Sequence, residues 1–334
     1  MPGSVTIHVL DAGHLTLPEA FFITPLDSQT ARKTVPSLSF LIQHTDSQTF
    51  KTTRIVFDLG IRKRLTDYAP PIYKHAMTRQ PLSGDPDTVA SLAAGGLSPS
   101  DIDIVMLSHL HWDHVGTPED YPGSSFVIGP GAGNLINGKQ QVMGGSHSHF
   151  EEGLLDPSRT IELRSPHPDA GNASGRPLLV VESLEKQSLK PSTSVHARDL
   201  FSNAWKPIGP FPHGMDILGD GSVYIISAPG HLDGHVNLLC RRRDGKYFYL
   251  AGDACHDARL LSGEKQIATW NDPEYPNTVC CIHSDKAMAE ATLRRIRKAM
   301  SGITDLGEVE VIFAHDDVWA KKARLLGWYF PGSM

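Results

Sequence analysis

Metal-binding side chains cluster in one short stretch, Ser108–Gly116, which reads Ser-His-Leu-His-Trp-Asp-His-Val-Gly. Imidazole and carboxylate groups, here on His109, His111, Asp113 and His114, are the ligands that zinc and similar ions prefer. Because His109 and His111 are separated by one residue, an extended backbone places both rings on the same side. Asp113 and His114 then fall on the following turn, where they can face a second ion. This spacing is rare by chance even in a chain with 17 histidines, so the motif predicts a metal site.

Similar chemistry recurs at the ends of other predicted strands. The apolar run Ile102–Leu107 precedes the cluster and is typical of a buried strand. Further strands are predicted to end at Asp58, Asp253 and His315, and another ends just before the loop that carries His231. Each residue alone has a plain structural explanation, such as a turn cap for Asp253. Because loops at one edge of a sheet commonly form active sites, their recurrence predicts that they meet the histidine cluster.

Alternating and helical hydropathy patterns predict the remaining elements. The other predicted strands are Val5–Val9, Ser37–Gln43, Arg54–Asp58, Ser124–Ile128, Ser222–Ala228, Val236–Cys240, Tyr247–Ala251 and Glu308–Ala314. A short helix is predicted from about 85 to 95, and the last helix at about 318–326. A longer helix starts at a Ser284 or Asp285 cap and ends at Gly302, because its apolar positions have helical spacing.

Two stretches lack regular patterns. Residues 11–35 are predicted to be irregular. The segment at about 129–221 is rich in loop residues, and long connections without periodicity are often functional, so we predict a lid or insertion there. The histidines scattered through this segment are more typical of solvated loops than of ligands; they are His147, His149, His167, His196 and His213.

Composition is that of an ordinary globular protein, with 334 residues, 40% of them hydrophobic and 20% charged, which is compatible with a single domain over 1–334. A formal net charge of −6 argues against a nucleic-acid or anionic-membrane partner. We expect no signal peptide and no transmembrane segment, because no suitable apolar run is present. The four cysteines lack disulfide or zinc-ribbon spacing, which favours a reducing, cytoplasmic location.

Taken together, Asp-x-Gly, H-x-H-x-D-H, Pro-Gly-His, Gly-Asp and a late strand-end His resemble the metallo-β-lactamase superfamily from about Val5 to Trp319. Three features are similar to its N-acyl-homoserine-lactone lactonase branch, namely Val35–Leu41, P-G-H-x-x-G-H at 229–235 and Phe313–Asp316. Fungal members that open the cyclic carbamate of benzoxazolinones are also similar. The resemblance implies an α/β fold, an αββα sandwich of two mixed β-sheets with helices on the outer faces, and a binuclear zinc site in the groove between the sheets.

The resemblance also implies a ligand set. The resemblance implies that Asp253 bridges the two ions. The other ligands that the resemblance implies are His109, His111 and His231 for one zinc, and Asp113, His114 and His315 for the other. Asp58 is expected to accept a hydrogen bond from a ligand imidazole, and His235 to lie behind the ligands. Two Zn²⁺ ions are expected, with iron and manganese left open because the residues do not decide the metal.

The implied reaction is the opening of a small cyclic ester, lactam or carbamate by a metal-bound hydroxide. The predicted catalytic residues are Asp113, Asp253 and His256. His256 follows Asp253 by three residues, where the lactonases have a tyrosine; it could donate to an oxyanion, protonate a leaving nitrogen or only pack. Candidates for an apolar pocket wall are Leu15, Phe21, Phe22, Trp112, Tyr121 and Trp270.

Other functions stay open at this point. A glyoxalase-II-like thioesterase or a phosphodiesterase could use the same metal pair, an iron centre could do redox chemistry, and a vestigial binding module needs no reaction at all. The absence of a basic run argues against an RNA substrate. The expected partner is a small molecule, and a homodimer stays open.

Overall fold

A computed structural model describes residues 3–137, 149–166, 178–179, 195–272 and 277–334. Within them, two β-sheets carry the fold. In spatial order the first sheet contains Ser4–Leu10, Ser39–Thr45, Thr52–Phe57, Ile104–Met106, Ser125–Ile128, Thr160–Glu162 and Leu178–Leu179. The second contains Lys206–Ile208, Phe211–Asp216, Val223–Ser227, Val236–Arg241, Tyr247–Leu250 and Val309–Ile312. Both sheets combine parallel and antiparallel pairs, as the resemblance implies.

Smaller strand pairs and helices complete the described part of the chain. The pairs are His14–Pro18 with Arg32–Pro36, Ile23–Thr24 with Gln266–Ile267, and Trp270–Asn271 with Val279–Cys280. The α-helices are Pro70–Ala76, Thr88–Ala94, Trp112–Val115, Gly133–Ile136, Val195–Leu200, Ala258–Ser262, Lys286–Met300 and Asp317–Leu325. Single 3₁₀ turns lie at Glu19–Phe21, Leu65–Asp67, Met77–Arg79, Pro99–Asp101, Pro118–Asp120 and Pro157–Arg159.

The side chains of the strand Ile104–Met106 alternate between two cores, because successive residues of a strand point to opposite faces of the sheet. Ile104 and Met106 join the core between the two sheets, where they meet residues of the second sheet such as Leu238. Val105 points to the opposite face, where it packs in a second core with Leu92 of the helix Thr88–Ala94. A helix thus covers the outer face of the first sheet.

The second sheet is covered in the same way. Leu293 and Ile296 of the helix Lys286–Met300 pack in one buried cluster with Leu239 and Tyr249, which point away from the first sheet. The helix begins where expected, because Asp285 caps it by accepting a hydrogen bond from the amide of Met288. The order helix, sheet, sheet, helix confirms the predicted αββα sandwich.

The prediction for residues 11–35 is wrong. His14–Pro18 and Arg32–Pro36 form an antiparallel pair with His14 opposite Pro36. Leu15, Leu17 and Val35 are buried in the same cluster, so the pair has an apolar face. Each strand has only five residues, too few for alternation to stand out, and pairing between distant segments supplies the missing stability.

The loop-rich segment at about 129–221 also contains regular structure. Lys206–Ile208 and Phe211–Asp216 form the edge of the second sheet, although neither strand has a clear alternating pattern. Residues 138–148, 167–177 and 180–194 of this segment, with His147 and His167, lie outside the described residues. The role of the segment as a lid stays a prediction.

No helix in the described ranges combines the length and apolar character needed to cross a membrane. The cytoplasmic location suggested by the cysteines stays a prediction.

Asp220 connects the two sheets at one end of the sandwich. Its carboxylate accepts hydrogen bonds from the amide of Gly3 at 2.7 Å and from Ser222, and its Oδ2 lies 2.8 Å from Nε2 of His44. Burial raises the pKa of Asp220, but the bonds from Ser222, His44 and Gly3 outweigh it and lower the pKa to about 2.

We expect Asp220→Asn to reduce the free energy of unfolding at pH 7 by about 1–2 kcal/mol, after allowing for partial exposure. Because the folded-state pKa is below its ordinary value of 3.8, the contribution is present above pH 3.8 and is lost as pH falls towards about 2. Urea unfolding at several pH values measures this difference, with exposed Asp27→Asn as control. A deficit that persists unchanged at pH 2–3 would contradict the assignment.

Candidate metal centre

The H-x-H-x-D-H motif occupies the turn between a strand and a short helix. The strand Ile104–Met106 ends just before His109, and the helix Trp112–Val115 carries the second half of the motif. Gly116 ends this helix with φ +48°, and a Cβ there would lie 2.6 Å from the carbonyl oxygen of Leu59. A glycine is therefore required for the chain to leave the turn so close to the neighbouring segment.

The first donor group consists of His109, His111, His231 and Asp253, all buried and with donor atoms within 4.8 Å of one another. Nδ1 of His111 lies 2.8 Å from Nε2 of His109 and 3.0 Å from Nε2 of His231. His231 also places Nε2 3.4 Å from Oδ2 of Asp253. Three imidazole nitrogens thus converge near one carboxylate oxygen.

The second donor group consists of Asp113, His114 and His315, again buried and within 4.8 Å. Nε2 of His114 lies 3.3 Å and Nε2 of His315 lies 3.2 Å from Oδ1 of Asp253. Nε2 of His315 is also 3.5 Å from Oδ2 of Asp113. Asp253 therefore stands between the two groups, with Oδ2 towards the first and Oδ1 towards the second.

Two acceptors orient the imidazoles of the second group. Oδ2 of Asp58 lies 2.9 Å from Nδ1 of His114, and the carbonyl oxygen of Pro36 lies 2.8 Å from Nδ1 of His315. Because a carbonyl oxygen can only accept, Nδ1 of His315 carries the proton, and in the neutral ring Nε2 keeps its lone pair for the cluster. The same reasoning applies to His114 and the Asp58 carboxylate.

Asp58 is itself held in an unusual conformation. Its φ is +62°, a strained value for a residue with a side chain. The amide and hydroxyl of Ser108 both donate to its carboxylate at 2.7 Å, and Oδ2 also contacts Nδ1 of His114. The neighbouring hydrogen bonds compensate for this strain at a site where the carboxylate must face the histidine cluster.

His235 lies behind the donor groups and in neither of them. Its Nε2 accepts a hydrogen bond from the amide of Asp253 at 3.1 Å. Burial lowers the pKa of His235 to about 3, so the ring is neutral and able to accept. His235 therefore fixes the backbone that carries the Asp253 carboxylate.

Burial and charge divide the cluster into two classes. Burial is the main cause that lowers the pKa of His109 and His231 well below the ordinary value. Burial also acts on His114, but the carboxylates of Asp253 and Asp58 outweigh it and raise the pKa. Burial would raise the pKa of Asp253, yet the surrounding histidines, His114 first, hold it well below its usual range. Asp253 is therefore an anion among imidazoles.

The donor chemistry fits divalent metal ions. Nε2 of His114 and Oδ1 of Asp253 are buried and form no hydrogen bond. A buried polar atom without a partner costs free energy, and a cation between the two groups would contact both atoms. Nitrogen and carboxylate donors in sets of three or four match the preferences of zinc and of iron or manganese.

His283 is a member of the cluster that the sequence did not indicate. It is 2% exposed, its Nδ1 lies 3.2 Å from Nδ1 of His231, and it forms a third donor group with His231 and His256. Because Nδ1 of His231 makes this contact, its Nε2 points towards the first donor group. His283 precedes the helix cap Asp285 and belongs to no motif, so its only sequence signal is an isolated histidine between predicted elements.

His256 also contacts the cluster. Its Nε2 lies 3.0 Å from Oδ2 of Asp253, and its ring packs 4.8 Å from that of Phe22, measured between centroids. Nδ1 is buried and makes no hydrogen bond. His256 is therefore placed to contact both the carboxylate between the donor groups and a molecule in the adjoining cavity.

A cavity of about 370 Å³, mouth included, opens onto the cluster. Its wall is formed by Leu15, Leu17, Phe22, His75, Arg79, His111, Trp112, Asp113, His231, Asp253, His256, Ile282 and His315. Leu15, Phe22 and Trp112 thus line the cavity as the sequence suggested. Tyr121 does not line it, because this residue is buried in the core on the outer face of the first sheet.

Phe21 and Trp270 pack against each other, with ring centroids 4.7 Å apart, and neither is part of the cavity wall. His149 contacts His75 at 5.7 Å between ring centroids and is in neither donor group.

The chain is similar to known proteins in sequence. Residues 34–120 match the family model described as the metallo-beta-lactamase superfamily. The chain is 29% identical over 264 residues to "Gamma-lactamase FDB1" of Fusarium pseudograminearum, covering 76% of this chain and 54% of the relative. It is 30% identical over 268 residues to "Metallo-hydrolase mfmC" of Annulohypoxylon moriforme, covering 77% and 58%. The chain therefore spans little more than half the length of these relatives.

The fold agrees with this match. An N-acyl homoserine lactone hydrolase, solved with the product N-hexanoyl-L-homoserine at its catalytic metal centre, superposes with a TM-score of 0.61. The sequences are 14% identical, and the alignment covers 100% of both chains. The chain therefore has the metallo-β-lactamase fold, and residues 34–120 match the model of that superfamily.

We expect His283→Leu to weaken metal binding by about 10- to 100-fold, because His231 loses a partner that orients its ring. Isothermal titration of the metal-free protein with Zn²⁺ measures the affinity, and His213→Leu, outside the described donor groups, is the matched control. If the affinity stays unchanged while the variant remains folded, His283 does not orient His231.

Proposed function

We propose that this protein is a metal-dependent hydrolase that opens a small cyclic ester, lactam or carbamate. The observation that carries the proposal is the position of Asp253. Its two carboxylate oxygens face two separate buried donor groups, with Oδ1 3.2 Å from Nε2 of His315 and Oδ2 3.4 Å from Nε2 of His231. An anion shared in this way is suited to hold two cations close together.

The residues that would hold the two cations, with Asp253 between them, are His109, His111 and His231 on one side and Asp113, His114 and His315 on the other. Zinc suits these donors best, with iron and manganese as alternatives. When bound, such ions act as Lewis acids that polarise a carbonyl oxygen and lower the pKa of water.

The chain's own residues then orient and transfer protons. Asp58 and the Pro36 carbonyl keep the Nε2 lone pairs of His114 and His315 towards the cluster. Asp113 and His256 line the cavity, so their side chains can contact the substrate. We assign Asp113 to accept the proton of the attacking water at its carboxylate, and His256 to donate a hydrogen bond or a proton to the substrate.

The lining of the cavity and the similarity to known proteins support a compact ring as substrate. The cavity has an apolar side formed by residues such as Leu15 and Phe22 and a polar side formed by the cluster. One relative is named a gamma-lactamase, and a structural neighbour is a lactone hydrolase with its product bound. A lactone or lactam fits this arrangement, because the hydrocarbon part of its ring can contact the apolar side while its carbonyl faces the cluster.

We expect the purified protein to contain about two divalent metal ions per chain and to hydrolyse small lactones or lactams only when loaded. Elemental analysis gives the metal content, and a panel of lactones, lactams, cyclic carbamates, thioesters and phosphodiesters gives the reaction class. Chelation should abolish activity, and added Zn²⁺ should restore it.

Asp253→Asn should lower activity by at least about 100-fold, whereas Asp244→Asn in an exposed turn is the matched control. Turnover of only thioesters or phosphodiesters would replace the proposed reaction with one of those classes. A fully loaded protein without hydrolase activity on any member of the panel would contradict the proposal.

We expect His256→Phe to reduce lactam hydrolysis more than lactone hydrolysis, by about tenfold or more in kcat. A nitrogen leaving group needs a proton more than an oxygen leaving group does, and phenylalanine cannot supply one. The measurement compares a lactam and a lactone of the same ring size, with metal content determined for both proteins. Equal losses on both substrates would indicate that His256 acts by packing or through Asp253.

A further inference from the structure

One fixed positive charge stands in the wall of the catalytic cavity. Arg79 lines this cavity together with Asp113 and His256. Among the described lining residues, no other is a lysine or an arginine. It belongs to the single turn Met77–Arg79, which directly follows the helix Pro70–Ala76. The charge therefore lies on the surface that a substrate bound at the cluster would contact.

The Arg79 guanidinium has no acidic partner among the described residues. No ion pair or hydrogen bond involves it there, and its close contact is the ring of Phe21, whose centroid is 5.8 Å from Cζ. By contrast, Arg259 binds both Glu19 and Asp257. The cavity also contains the carboxylates of Asp113 and Asp253, but neither is paired with Arg79, so this half-buried guanidinium is available to an anion that enters the cavity.

A second arginine fixes the backbone around Arg79. The Nη2 atom of Arg32 donates to the carbonyl oxygens of Thr78 at 3.1 Å, Gln80 at 3.4 Å and Thr16 at 3.5 Å. These bonds attach the turn to the strand pair that forms the apolar cavity wall. The Arg79 side chain is thus presented from a supported segment, which reduces the entropy lost when it binds a ligand.

Electrostatics around Arg79 favour an anion. Burial lowers the pKa of Arg79; the Asp113 charge opposes this shift and the smaller effect of Arg32 adds to it, and a guanidinium keeps its proton at neutral pH. Burial and Arg79 in turn lower the pKa of His75 to about 4, so this neighbour is neutral. Asp113 offsets part of the positive potential at this part of the wall, but no described carboxylate lies within ion-pair distance of Arg79.

We propose that the substrate is a compact lactone or lactam that carries a carboxylate, and that Arg79 binds this carboxylate while the ring carbonyl lies at the donor groups. This inference rests on the proposed function. A planar guanidinium matches a carboxylate through two parallel hydrogen bonds, and Leu15, Leu17 and Phe22 would cover the apolar part between the two ends. Arg79 would then determine specificity and take no part in bond cleavage.

The test compares matched pairs of compounds that differ only in charge. The hydrolysis series consists of bicyclic aryl lactones with a carboxylate at successive ring positions. Each of these lactones is compared with the lactone that carries a primary carboxamide at the same position. The binding series consists of the corresponding cyclic ketones, which lack the scissile bond, and is measured by isothermal titration calorimetry with the metal-loaded protein. Arg79→Gln is the test variant, and Arg64→Gln, which is exposed and paired with Asp67, is the matched control.

For at least one ring position, we expect the lactone with a carboxylate to be hydrolysed with a kcat/KM about tenfold or more above that of its carboxamide counterpart. The ketone with a carboxylate at that position should bind more tightly than its carboxamide counterpart by a similar factor. Arg79→Gln should remove this preference mainly through KM and leave the carboxamide within about twofold, and Arg79→Lys should restore part of it. Arg64→Gln should retain the preference.

The two proposals fail in different ways. If carboxylate and carboxamide ketones bind equally, or if Arg79→Gln keeps the preference, the inference about Arg79 is wrong even when lactones are hydrolysed. If neither series of lactones is hydrolysed while the Arg79-dependent binding of carboxylate ketones persists, the proposed reaction is wrong and the anion site stands.

Discussion

A buried carboxylate surrounded by imidazoles is the constraint on which the rest of the structure depends. Asp253 is 3% exposed, and a charge in this position is tolerable only with close positive or hydrogen-bonding partners. His114, His315 and His231 supply them on both sides, and His235 accepts from the Asp253 amide. Every element that carries one of these residues must therefore be held to within a fraction of an ångström.

The αββα sandwich provides this rigidity. Asp253 follows the strand Tyr247–Leu250, and His315 follows the parallel neighbour Val309–Ile312, so adjacent strands of one sheet carry both residues to the same edge. Gly252 between strand and carboxylate has φ +47°, and a Cβ there would lie 2.9 Å from Cβ of Ser108. The two sheets approach each other so closely at this point that only glycine fits.

The donor groups and the cavity wall come from different parts of the chain. The strand ends and the motif at 109–114 supply the donor groups. The strand pair formed by His14–Pro18 and Arg32–Pro36, with the segment that ends at Arg79, supplies the apolar wall and the positive charge. The Pro36 carbonyl of this strand pair orients His315, but the side chains that line the cavity can vary while that backbone contact stays, which is one way in which a single fold accommodates several substrates.

Local patterns were sufficient for much of this molecule. The H-x-H-x-D-H motif, the strand-end positions of Asp58, Asp253 and His315, and the capped helix that begins after Asp285 all follow from spacing and periodicity over a few residues. Most strands of the two sheets were also predictable, because alternation along each strand reflects the core between the sheets on one side and a helix-covered core on the other. The strands inside the segment at about 129–221, such as Lys206–Ile208 and Phe211–Asp216, were not predicted because they lack such alternation.

Long-range contacts decided what spacing could not. His283 joins the cluster only because the chain returns to His231 after 52 residues, and no short pattern records such an approach. The same holds for the pair His14–Pro18 and Arg32–Pro36, whose short strands are stable through their mutual contacts. Arg79 is an unremarkable arginine in sequence, and only packing shows that it lines the cavity and is not paired with a carboxylate. Sequence thus determined the donor types and the strands that carry them, whereas tertiary structure decided their neighbours, because burial and charge pairing depend on segments far apart in the chain.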